Sequence, residues 1–165
     1  MTSFTAELEQ ETAITSRVLE RVPEDKLTWK PHAKSMTLGQ LALHTATVPG
    51  GIAGVVANDV FELDPARFGN APQPASHAEI MQAFEGGVAS AKAYLEGLSS
   101  EKAEATWRMM VGGRQVMAMP REWVLRSIMF NHWYHHRGQL SVYLRLLDIP
   151  VPVIYGASAD ENPFG

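Results

Sequence analysis

The chain has 165 residues, no cysteine, 45% hydrophobic residues and a formal net charge of −4. That length fits one domain, residues 1–165, with a single buried core. The acidic balance and the lack of a Lys/Arg cluster argue against a nucleic-acid partner, whose phosphates need a basic footprint. No apolar run is long enough to cross a bilayer, and the N-terminal MTSFTAELEQET lacks the basic-then-apolar opening of a secretory signal. The expectation is a cytoplasmic protein with no membrane partner. Without cysteine there is no disulfide, no thiolate ligand and no sulfur nucleophile of the chain's own, so metal ligands must come from His, Asp and Glu.

Residues 3–22 carry Phe4, Leu8, Glu11, Thr15, Val18 and Val22 at helical spacing, which predicts a first helix. The segment Pro23–Met36 holds two prolines and reads as a connection. Thr37 followed by Gln40 is a capping-box pattern that opens a second helix, with His44 on its apolar face. Pro49, Gly50 and Gly51 predict a kink or restart, after which the apolar pattern carries the helix on through Phe61. Asp64–Ala75 reads as a loop. Ser76 with Glu79 repeats the capping pattern before a third helix, whose inner face is Ile80, Phe84, Val88, Ala91 and Leu95. Gly86 and Gly87 weaken that helix, and close packing on a neighbour is one reason to keep them.

Thr106–Met119 is open to two readings, a β-hairpin around Gly112–Gly113 or an irregular excursion, because alternation is poor. A long fourth helix follows over Pro120–Leu147, with Pro120 at its first position and an apolar stripe of Leu125, Ile128, Met129, Leu140, Tyr143, Leu146 and Leu147. The tail after Asp148 should lie extended against the bundle. With no convincing sheet, the expected fold class is all-α, a four-helix bundle with a long fourth helix and an extended C-terminal tail.

Counting about 100° per residue, the stripe of the fourth helix centres about 20° past His132 and about 20° short of His136, so this i,i+4 pair straddles the expected buried face. Two imidazoles there need partners for their nitrogens, and a metal ion would satisfy both. A catalytic metal takes a third protein ligand. His44 is the candidate, being the only other histidine on an apolar helix face; His32 and His77 fall in a loop and a first helical turn. Spacing alone leaves a hydrogen-bonded or packing role for the pair as an alternative. His135 reads as a packing or supporting residue, and Asn131, Arg137 and Gln139 as solvated or helix-pairing groups.

TLGQLALH at 37–44 and NHWYHHRGQLSVYLRLLDIPVPVIYGASADE at 131–161 resemble the DinB-like (DinB/YfiT) family of bacterial metal-binding four-helix bundles. The resemblance covers nearly the whole chain, including a loop similar to LTWKPHAKSM, and is most specific in HxxxHRGQL and the tail after it. It implies an up-down bundle of the DinB/YfiT type, often a homodimer, with a divalent metal, zinc or nickel, on three histidines. Carried over by motif these are His44, His132 and His136. The resemblance also implies thiol-dependent transferases and isomerases using bacillithiol, mycothiol or glutathione, and metal-dependent hydrolases.

The expected function is therefore a metal-dependent enzyme with a small-molecule substrate. Its leading form is a thiol-dependent S-transferase acting on small electrophiles with a low-molecular-weight thiol as co-substrate, and a hydrolase is its variant. The alternative is a non-catalytic metal-binding stress protein. Gln40, Arg137 and Asp160 are polar groups that could orient a substrate.

Overall fold

In the computed structural model, which describes residues 3–67 and 71–164, the first helix runs Phe4–Leu19 (α1). Ser3 Oγ accepts the Ala6 N–H at its start, and the predicted stripe of Leu8, Glu11, Thr15 and Val18 is buried. The second helix spans Leu38–Val56 (α2) behind a complete capping box: Thr37 Oγ1 accepts the Gln40 N–H at 3.1 Å, and Gln40 Oε1 accepts the Thr37 N–H at 3.0 Å. Pro49 lies inside this helix without ending it.

α2 does not reach Phe61 as expected. Its last carbonyls are taken by side chains from elsewhere: Trp107 Nε1 donates to Val55 at 3.2 Å and the fully buried Arg121 Nε to Val56 at 2.8 Å. With those acceptors used, the chain turns away and Val60–Glu62 forms a short strand (β1). The predicted loop follows; its residues 68–70 lie outside the described residues.

The third helix is His77–Glu96 (α3), capped by Ser76 Oγ on the Glu79 N–H. Here Glu79 reaches back to the Ala75 N–H at 2.7 Å, one residue before the cap. Ile80, Phe84, Ala91 and Leu95 are buried, as the pattern predicted. After a short helix Ser100–Glu104 (α4) come strands Thr106–Val111 (β2) and Arg114–Pro120 (β3). Gly112 and Gly113 join them at φ 57° and 75°, left-handed values at both turn centres that glycine adopts without strain. β1 pairs in parallel with β2, and β2 antiparallel with β3. The all-α expectation is thus corrected: the chain is mostly helical with a three-stranded mixed sheet beside the bundle. The pattern hid the sheet because β1 has three residues and because the register slips by one at Met109/Met110, breaking the alternation.

The last long helix begins with Arg121–Val124 (α5), so Pro120 closes β3 and stands one position before the helix. It continues through a π-helical segment, Leu125–Asn131, into His132–Leu146 (α6). The wider π turn brings residues four apart back to one face, and the buried line is Leu125, Met129, Trp133, Arg137, Leu140 and Leu144. The expected stripe is corrected accordingly. Leu146 is exposed, and Trp133 with Arg137, not the histidine pair, forms the middle of the buried face.

α1 packs on α3 and α6, and α2 packs on the same two helices, so the four long helices close a ring around one core. The α2–α3 contact is tight: a Cβ on Gly50 would stand 2.6 Å from Gly87 Cα and one on Gly87 3.2 Å from the Ala46 carbonyl, which accounts for both glycines but not for Gly86, beside which there is open space. The tail lies against the bundle but doubles back on itself. Asp160 accepts the Val151 N–H, and Glu161 accepts the Val153 N–H while pairing with Arg17 and Arg21 of α1 and the turn after it. Among the described residues no helix is long and apolar enough to cross a membrane.

Candidate metal centre

His44 sits in the second turn of α2, and His132 and His136 occupy the first and second turns of α6. Side chains four residues apart lie over one another on a helix, so both α6 imidazoles point the same way, toward α2. His132 Nε2 is 2.6 Å from His136 Nε2 and 3.2 Å from His44 Nε2. The His136 ring centroid is 4.4 Å from those of both His132 and His44. The structure thus brings together the three histidines singled out in the sequence, in a cluster that could hold a metal ion.

All three rings are half-buried, and each is held below the usual histidine pKa, chiefly because burial penalises the imidazolium. His136 is lowered furthest, to about 4, with the charge of His44 as the next cause after burial. For His132 the backbone carbonyl of Ile128 opposes the shift. At neutral pH the cluster is therefore three uncharged imidazoles, the form that ligates metals. A single proton or lone pair on His132 Nε2 serves one of its two close neighbours well. One cation between the rings would serve all three.

The other polar residues singled out in the sequence are occupied elsewhere. Gln40 completes the α2 cap and donates from Nε2 to the Ala71 carbonyl at 2.9 Å. Asp160 is bound to Arg145 and the Val151 N–H. Arg137, read as solvated or helix-pairing, is buried and faces α1, where it pairs with Glu11 at 2.7 Å and donates to Thr15 Oγ1 at 2.9 Å. His77 Nε2 donates to the Leu19 carbonyl at 3.0 Å, and His32 Nδ1 accepts the Lys34 N–H at 3.1 Å, so both do local structural work. His135 and Asn131 are exposed.

Gln139, read as solvated or helix-pairing, is exposed, but its contact with the cluster was not foreseen. Its Oε1 is 2.8 Å from His136 Nδ1. The signal was available in its spacing, since a residue three positions after a histidine lies beside it on a helix.

Residues 1–162 match the DinB family. The chain belongs to that family. It is 27% identical over 160 residues to the uncharacterized protein YrdA of Bacillus subtilis (strain 168), covering 96% of this chain and 89% of YrdA. It shares its fold with a DinB-like protein from Bacillus cereus ATCC 10987, at TM-score 0.69 and 21% identity over 90% of this chain and 93% of that one. YjoA, a DinB-like protein from Bacillus subtilis, matches at TM-score 0.69 and 20% identity over 91% of this chain and 95% of its own.

Proposed function

We propose that His44, His132 and His136 ligate a divalent cation, zinc or nickel, and that this DinB-family protein is a thiol-dependent S-transferase acting on small electrophiles. The observation that carries the reading is the convergence of three neutral imidazole Nε2 atoms from two helices, 2.6 and 3.2 Å apart along the chain of contacts. Three imidazoles suit zinc or nickel and, in catalytic sites, leave a position for substrate. A divalent cation held there supplies Lewis acidity, drawing the pKa of a thiol or water toward neutrality.

The chain's own residues contribute three things. Burial keeps the ligands uncharged, the remaining exposure lets a small molecule reach them, and α2 and α6 hold them from opposite sides. The protein has no cysteine, so a sulfur nucleophile must arrive as a co-substrate. A hydrolase, with water in place of the thiol, uses the same site. The reading from a different class is a metal-binding stress protein without turnover.

Elemental analysis of the purified protein beside His44→Ala tests the ligand set. About one equivalent of metal in the first and a large loss in the second is expected; equal, near-zero metal in both overturns it. Conjugation of a model electrophile with several thiols, with and without chelator, tests the reaction. Thiol-dependent turnover abolished by chelation is expected, and metal-loaded protein that is inert with every thiol removes the transferase.

A further inference from the structure

We infer that Gln139 is a positioning residue that sets the tautomer of His136, holding its proton on Nδ1 so that the Nε2 lone pair faces His44 and His132. The inference rests on the metal reading above and extends it beyond the three ligands. A neutral imidazole carries one N–H, and which nitrogen bears it depends on what the other side of the ring meets. Gln139 Oε1, an acceptor, stands 2.8 Å from His136 Nδ1, while His136 Nε2 points at His132 Nε2. The intervening residues cannot do this work. Arg137 is directed into the α1–α6 interface and Gly138 has no side chain.

Gln139 is itself exposed, so packing does not account for its placement. An exposed glutamine loses side-chain entropy when held in one rotamer, and a bond to a ligating imidazole is a return for that loss. The opposite amide orientation would donate to Nδ1 and force the proton onto Nε2, which closes that nitrogen to a metal. The two orientations therefore predict opposite behaviour.

Gln139→Leu and Gln139→Glu distinguish them, with zinc affinity read by competition against a chromophoric chelator at fixed pH. Leucine removes the acceptor and should weaken zinc binding by about 10–100-fold. The ionised carboxylate of glutamate can only accept, so Gln139→Glu should keep the wild-type affinity or tighten it. Equal affinity in the leucine variant, or a loss in the glutamate variant as large as in leucine, overturns the inference. Nitrogen NMR of the His136 ring gives a readout independent of zinc. A proton on Nδ1 is expected at neutral pH, and a proton on Nε2 overturns the assignment. Wild-type protein that takes up no zinc would remove the metal reading alone, and the ring measurement on metal-free protein would still decide the role of Gln139.

Discussion

His136 and Arg137 are neighbours in sequence and face two different helices, His136 toward α2 and Arg137 toward α1. On the α1 side the charged groups pair within the protein: Arg137 with Glu11 and Tyr155, and Arg126 with both oxygens of Glu7, which also accepts from Tyr134. On the α2 side the three imidazole Nε2 atoms converge on one another, with Gln139 beside His136 Nδ1 and the Ile128 carbonyl beside His132. Arg137 and Glu11 are buried, whereas Arg126 and the three imidazoles keep part of their surface exposed, so burial alone does not sort the two clusters. The difference lies in closure: a network whose donors and acceptors are matched holds helices together, whereas converging imidazole nitrogens form a cluster that could hold a metal ion.

That contrast can be broken in order of expected effect. Arg137→Ala leaves the Glu11 carboxylate buried without its partner and should cost about 3–5 kcal/mol of stability, measured by denaturant unfolding. Metal content per folded molecule should stay unchanged. A loss of metal at retained fold would show that the two sides are not separate.

The two clusters should also titrate in different windows. His136 has a folded pKa of about 4 against an ordinary 6.5, so the unfolded chain takes up the proton first. Metal-free protein should therefore lose stability as pH falls from about 6.5 to about 4, and His136→Ala should flatten that slope. Glu7 is held below its ordinary 4.5, chiefly by the Arg126 guanidinium. Its contribution is present above 4.5 and is lost as pH falls through the lowered folded value, a window largely below that of the histidines. Stability against pH for wild type, His136→Ala and Glu7→Gln reads both windows; a histidine variant that alters only the lower one would defeat the separation.

The smallest effect belongs to Tyr155. Its hydroxyl donates to Glu11 Oε2 at 2.9 Å and accepts from Arg137, and burial pushes its pKa up to about 12. Tyr155→Phe should cost about 1 kcal/mol, with the ring still stacked edge-on against Tyr134. No change on unfolding would mean that the hydroxyl adds nothing to the closed network.

Much of this was legible in the residues. The α1 stripe, the caps at Thr37 and Ser76 and the His132–His136 pair follow from local spacing and local hydrogen bonding, while His44 came from its apolar helix face and the motif resemblance. The sheet was not legible, because β1 depends on a partner more than 40 residues away in sequence and on the end of α2 being fixed by Arg121 and Trp107. The helix-pairing reading of Arg137 holds, since it pairs with Glu11 of α1, but its full burial was not legible. A periodicity count treats arginine as an outward residue, and only the acidic Glu11 at a buried position of α1 hints that a cation must come to meet it.

The contact between Gly50 and Gly87 bears on how the candidate centre is held to its dimensions. Where one backbone rests on another, no rotamer is left to yield, so α2 meets a hard stop against α3 about six residues beyond His44. Any fine adjustment of the gap between His44 and the other two rings must then come from α6, which is seated on side chains that can give. One jaw of the clamp is fixed, and the other carries two of its three teeth.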